Sequence, residues 1–329
     1  MREGRGYKIS VVRYDNSMEQ AWNGFLESVK NATFLLGRTY INEVMEHNPC
    51  VEDHSLMFYK GDRLVALLPA NIEGKVLDSH GRLTYGGLMI GLSTGVEEVM
   101  DIFSALRDYL VENSEVEKII YRPLPHIYAS YPAEEDLYAL FRYNARLVQR
   151  KVSSAVWLRE PCGFSTLRRR KVKLAVKSGV TVRRDEDYAS FWNILEENLE
   201  KRHGVSPVHT AGQMGRLATL FLGKIVLYSA FNSGGDRVAG VVMYVTSRVA
   251  HVQYIASTAE GRECGALDCL FSHLINKEYA DKEYFEFGNS VEQGGRFLNK
   301  GLIFQKEGFG ARAVVYDTYE IDVNSIIDG

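Results

Sequence analysis

Apolar residues in this chain follow two alternating rhythms. Runs of period two, or continuous apolar runs bounded by turn residues, mark strands. They fall at 7–13, at the hairpin 56–59/64–69 around Lys60-Gly61-Asp62, at 83–90, at 118–121 and at 146–158. Between them the spacing is helical. Met18, Ala21, Trp22, Phe25, Leu26 and Val29 share one face behind a cap at Asn16 or Ser17. Val99, Phe103, Leu106 and Leu110 share another, and a helix over 134–141 follows a connection carrying Pro123, Pro125 and Pro132.

The same order returns in the second half. A basic helix over 164–178 precedes a strand at 180–183 and a helix with Tyr188, Phe191, Trp192, Leu195 and Leu199 on one face. Then come a loop at 203–210, a short helix at 212–222, the hairpin 225–231/238–245 and a strand at 249–256. A glycine-bearing loop at 259–265, a helix from 266 to about 279 and a strand at 284–288 follow. The chain closes with a short helix around 295–300, the segment 304–310 and a strand at 312–321. Each half reads helix, hairpin, strand, helix, strand, helix, strand. Hairpins before crossovers argue against a purely parallel sheet and for an α/β (α+β) fold, a mixed twisted sheet flanked by helices in each half. The joint is expected at 159–163, giving domains 1–158 and 159–329.

Bulk properties narrow the function classes. The 329 residues suit about two domains of roughly 150 residues. Apolar and charged shares of 46% and 25% are those of a globular protein. No run approaches the roughly 20 apolar residues of a spanning helix, and the N-terminus lacks a signal-peptide core. The expectation is a cytoplasmic protein with no membrane partner. Four cysteines without a C-x-x-C pair argue against a metal site. A net charge of −3 offers no global field for DNA, so anion binding must be local.

Several residues carry candidate chemistry. The strand–glycine loop–helix at 249–279 could present backbone N–H groups to a phosphate, with Gly261, Arg262, Gly265 and Ala266 at the turn. An ordinary turn explains the same glycines. His209, in the loop after the second amphipathic helix, has the pKa of a general base. Arg169 and Arg170 belong to a helix with six cations and no acid. That helix could meet a phosphate-rich donor, or be a solvated face balanced by nearby glutamates. Arg296 and Lys300 would share a short helix face beside Lys306 and form an anion pocket. Asn289 lies at a strand end, and Tyr85-Gly86-Gly87 could bare backbone to a substrate or form a bulge.

The order of several short motifs resembles the GNAT acyltransferase superfamily in its tandem form, similar to the Fem-type peptidoglycan aminoacyltransferases. Arg169-Arg170 with Ala175 and Gly179 is similar to the Fem-type start of the second half. Phe285 to Gly288, then Phe304, Lys306, Phe309 and Gly310, is similar to its ending, and Tyr85-Gly86-Gly87 to an element of its first half. Leu267 stands where the GNAT pyrophosphate loop has a small residue, Gln305 separates Phe304 from Lys306, and the helical arm some Fem-type enzymes use for tRNA is missing. The resemblance implies transfer of an acyl group from acyl-CoA, acetyl-CoA foremost, to a small-molecule or peptide-like amine in the inter-domain cleft. It implies CoA at Gly261, Arg262, Gly265 and Ala266. It implies that Lys306 steadies substrate charge, so that Lys306→Ala lowers turnover far more than stability. Tyr254 is implied as general acid and Glu286, through water, as base. Two alternatives stay open: tRNA-dependent aminoacyl transfer to a cell-wall precursor, against which the missing arm and acidic pI count, and a non-catalytic ligand-binding protein.

Overall fold

The computed structural model describes residues 8–46, 51–81 and 83–326. By internal contacts the chain forms two compact units, residues 1–151 with 315–329 and residues 152–314. The division falls inside a strand rather than at 158/159, and the end of the chain goes with the first unit.

The first unit holds β1 (Ile9–Arg13), α1 (Glu19–Leu26), α2 (Arg38–Glu46), β2 (Glu52–Asp53), β3 (Leu56–Lys60), β4 (Arg63–Leu68), β5 (Asn71–Glu73), β6 (Val76–Asp78), β7 (Met89–Ile90), α3 (Val96–Asn113), β8 (Lys118–Tyr121), α4 (Glu135–Arg142) and the start of β9 (Arg146–Trp157). Strands β1, β3, β4 and β7 pair antiparallel in that order. Strand β6 lies parallel to β8, with Leu77 opposite Ile119. On α3, Val99, Ile102, Phe103, Leu106 and Leu110 are buried, as their spacing requires. Of the extended stretch expected at 83–90, only β7 is a strand.

A buried acid sits in this core. Asp136 on α4 accepts a 2.8 Å hydrogen bond from the Tyr121 hydroxyl, which itself accepts from the Leu88 N–H at 2.7 Å. Burial pushes the Asp136 carboxyl up to about 6. Between the unfolded value near 3.8 and that value, the native state holds a proton that the unfolded chain has lost. This contribution to stability is therefore present below the unfolded pKa and is lost as pH rises toward 6. Asp136→Asn can still accept from Tyr121 and should lack the dependence. Melting curves of both proteins from about pH 4 to 7 should show the variant gaining on wild type as pH rises; parallel curves would refute the assignment.

The second unit continues from β9 with α5 (Thr166–Lys177), β10 (Thr181–Asp185), α6 (Tyr188–His203), α7 (Ala211–Leu220), β11 (Ile225–Phe231), β12 (Arg237–Val245), β13 (Val249–Ser257), α8 (Ala259–Cys264), α9 (Ala266–His273), β14 (Tyr284–Asn289), β15 (Val291–Glu292), β16 (Phe297–Leu298), α10 (Lys300–Glu307) and the first residues of β17 (Arg312–Asp322). The later part of β17 pairs antiparallel with β8 of the first unit, from Tyr319 opposite Tyr121 to Asp322 opposite Lys118. The second unit's sheet runs β10-β11-β12-β13-β14-β9. All its neighbours are antiparallel except β13 and β14. Both units are therefore mixed sheets with helices, as the element order implies. Strand β11 is buried along its whole length, because helices cover both faces. Val241 and Met243 belong to the core beneath α9. On the other face, α6 lies so close at Gly240 that a Cβ there would sit 2.4 Å from the Phe191 ring, and Tyr244 reaches Met214 of α7.

Two local expectations are corrected. Residues 259–264 are helical, not a loop: Thr258 caps α8 by accepting from the Gly261 N–H at 3.1 Å. Residues 295–300 are not one helix. Gly294 and Gly295 have φ of 63° and 93°, the chain passes through the small β15–β16 pair, and α10 starts at Lys300 behind the Asn299 cap. Arg296 and Lys300 therefore share no helix face. Among the described residues no helix is long and apolar enough to cross a membrane.

Candidate active site at the parted strands

The parallel pair β13/β14 sets the geometry. Its register runs from Val249 opposite Tyr284 to His251 opposite Glu286 and stops there, although β13 continues to Ser257 and β14 to Asn289. Strand β13 also carries a bulge. Tyr254 stands opposite Val242 but Val252 opposite Met243, so Gln253 is extra. The bulge puts His251 and Tyr254, three residues apart, on one face. Their cross-strand partners Tyr244 and Val242 are on the α6/α7 side, whereas Val252 joins the α9 core.

On that face, two side-chain groups assemble. The first is a pair: His209 Nδ1 lies 2.6 Å from the Tyr254 hydroxyl. Trp192 of α6 packs edge-on to the Tyr254 ring at 5.1 Å and donates its indole N–H to the His209 carbonyl at 2.8 Å. Burial pushes the Tyr254 hydroxyl up to about 12, so it keeps its proton at neutral pH. The second group centres on Glu286, which is fully buried. Its Oε2 contacts His251 Nδ1, and its Oε1 accepts from Ser153 Oγ and, at 3.0 Å, from the Gly288 N–H. Lys306 of α10 completes the group. Its ammonium donates to the Gly288 and Asn289 carbonyls, each at 2.7 Å. Burial lowers its pKa to about 8, against the opposing attraction of Glu286.

The structure thus brings Lys306, Glu286 and the Asn289 backbone together, and His209 with Tyr254. His251, which the sequence pattern reads as a packed strand residue, and Ser153, which sequence reasoning left out, join Glu286. The Asn289 side chain is exposed and Arg296 is exposed on the turn before β16. Arg169 is exposed on α5 and turned back on its own helix start, bonding Thr166 Oγ1 at 3.1 Å, and Arg170 is exposed beside it. Arg168 is the α5 cation built into the fold, paired with Asp268 at 2.8 Å and lying over the Phe309 ring.

The glycines of the expected phosphate loop serve packing. A Cβ on Gly261 would lie 2.1 Å from the Val238 carbonyl oxygen, and one on Gly265, at φ 79°, would lie 2.8 Å from the Lys171 oxygen. Arg262 is bonded to the Ser257 carbonyl at 2.7 Å, and Ala266 is fully buried. In the first unit, Tyr85, Gly86 and Gly87 are also buried. The Gly86 N–H donates to the Arg122 carbonyl at 3.0 Å and the Gly87 N–H to the Ser79 carbonyl at 3.4 Å. This segment is therefore packed against the chain just beyond β6 and β8 in its own unit.

Residues 164–293 match the acetyltransferase (GNAT) domain family. None of the curated proteins compared matches the sequence. Among solved structures, a crystal structure of FemX is similar at 12% identity, with 94% of this chain and 96% of that one covered and a TM-score of 0.66. The structure of L-PGS from Bacillus licheniformis is similar at 14% identity, with 98% and 95% covered and a TM-score of 0.59. A tandem GNAT protein from the clavulanic acid biosynthesis pathway is similar at 10% identity, with 96% and 98% covered and a TM-score of 0.50. Residues 164–293 are thus similar to the GNAT domain family, and the chain as a whole has the fold of these tandem GNAT-like structures.

Proposed function

We propose that the protein is an N-acyltransferase whose second unit holds an acyl donor, acyl-CoA in the first instance, where β13 and β14 part. The observation that carries this reading is the parted parallel pair with its bulge at Gln253, inside the matched GNAT domain. Past His251 and Glu286 the two strands no longer pair, which leaves a place between them for a donor carbonyl and the oxyanion it becomes. The amine acceptor approaches from the α6/α7 side, where His209 and Tyr254 lie. A tyrosine that stays protonated at neutral pH suits the release of a leaving thiolate.

A second reading, an aminoacyl ester on tRNA as donor, is favoured by the exposed Arg169, Arg170, Lys173 and Lys177 of α5. One experiment addresses both. Melting curves with acetyl-CoA, longer acyl-CoAs and aminoacyl-tRNA should show stabilisation by the true donor, about 2.7 kcal/mol at a hundredfold excess over Kd. Stabilisation by tRNA alone would favour the second reading. No stabilisation by any of them would leave a binding protein that kept the fold.

A further inference from the structure

His251 and Glu286 have a division of labour that their types alone do not suggest. Glu286 has no solvent exposure and both its oxygens are engaged, so it cannot reach an acceptor directly or through a water chain. The Gly288 N–H can only donate, as Ser153 Oγ does beside it, which makes Oε1 an acceptor, and the Lys306 ammonium lies near the carboxylate. The proton between Glu286 and His251 therefore belongs to the imidazole, on Nδ1. The other ring nitrogen, Nε2, has no protein partner among the described residues and is open to solvent, on a side chain only 13% exposed. A neutral imidazole bonded in this way carries its lone pair on Nε2. The ring sits at the point where β13 and β14 part, with Cε1 3.9 Å from where a Cβ on Gly288 would lie.

Resting on the acyl-transfer reading above, we propose that His251 Nε2 is the general base of the reaction and that Glu286 is its positioning residue. The acceptor's neutral amine attacks the donor carbonyl carbon, forming the C–N bond. Nε2 takes one N–H proton as the tetrahedral intermediate forms. The C–S bond then breaks, the departing thiolate takes the Tyr254 hydroxyl proton, and the proton held by His251 restores the tyrosine by way of solvent, so amine and thioester become amide and thiol. Ser153 and the Gly288 N–H hold the carboxylate from β9 and β14, and Lys306 holds the end of β14 from α10. His251 bonds Glu286 of β14 and stands opposite Tyr244 of β12, with Tyr254 on the same face of β13.

The test has two arms. In ¹⁵N-histidine spectra of the wild-type protein, with His251 assigned by its loss in His251→Gln, the resonance should show Nδ1 protonated and Nε2 bare near neutral pH. Glu286→Gln should abolish that preference. In thiol-release assays with acetyl-CoA and a panel of primary amines, His251→Gln should lose about 10²–10⁴-fold in kcat while acetyl-CoA still raises its Tm. The acid limb of the wild-type pH profile should vanish in the variant. A wild-type Nε2–H tautomer would overturn the proposal, as would His251→Gln turnover within about threefold of wild type. If acetyl-CoA neither binds nor releases thiol in wild type, the acyl-CoA reading fails and the base role falls with it. The spectra would still decide the His251–Glu286 pairing on their own.

Discussion

Lys306→Ala is expected to lower folding stability by about 2–4 kcal/mol and to lower acyl transfer with it. The sequence alone suggests a cation reserved for substrate, whose loss would spare stability. The structure shows an ammonium engaged with two backbone carbonyls at the end of β14 and close to a buried carboxylate. Truncation leaves those carbonyls without their donor and removes a positive charge near Glu286. The strand end that carries Gly288 then loses its anchor, and the His251–Glu286 pair is disturbed with it. Urea unfolding checks the first part, and a loss under about 0.5 kcal/mol would place Lys306 with ordinary surface lysines.

The pH dependence follows from the same burial. The unfolded chain keeps the lysine proton up to about 10.5, the native state only to about 8. Between these values the unfolded state binds more protons, so stability attributable to this group rises with pH. Lys306→Met keeps the aliphatic stem and has no proton to lose. The stability difference between wild type and Lys306→Met should therefore shift in favour of wild type above about pH 8. A constant difference through that range would mean the ammonium titrates normally.

Gly261→Ala is expected to cost about 3–5 kcal/mol, the upper end of single-site effects. The added methyl would meet the Val238 carbonyl at 2.1 Å and Ser257 Oγ at 2.6 Å. The first of these is backbone and cannot rotate away, so α8 must lift from β12 and β13. Were Gly261 present chiefly to admit a phosphate, the variant would melt normally and lose acetyl-CoA binding. Melting and acetyl-CoA titration of one sample separate the two outcomes.

These glycines show where local pattern stops being informative. Gly261 lies within a six-residue helix, and glycine is a poor helix former, so the sequence reads as a loop. Its presence is dictated by β12, whose approach no local rhythm reports. Gly294 and Gly295 mislead in the other direction, since the apolar residues after them suggest a helix that their positive φ prevents. Helix α2 was not anticipated, and its buried face includes Arg38, lying over Tyr14 and Trp22, which breaks the apolar period. By contrast, the strands β11 to β14 and helices α3 and α6 are legible, because each presents a run of apolar residues to a core.

The site was legible only in pieces. Lys306, Glu286 and Tyr254 are pointed to by the resemblance of the surrounding motifs, and His209 by its type and its place in a loop. That Glu286 faces His251, 35 positions away, depends on the register of two strands, and periodicity carries no register between distant strands. Ser153 is further still, on β9, 133 positions before Glu286.

The assignment of residues 315–329 to the first unit bears on how the chain is made. Residues 152–314 are contiguous, so on a ribosome the second unit has all its parts before the first one does. The N-terminal unit must wait with the β8 edge uncovered until the last strand emerges to pair from Tyr319 opposite Tyr121 to Asp322 opposite Lys118. A premature stop near residue 314 would thus leave the later-made unit whole and strand the earlier-made one, and the nascent N-terminal half is where chaperone protection is needed longest.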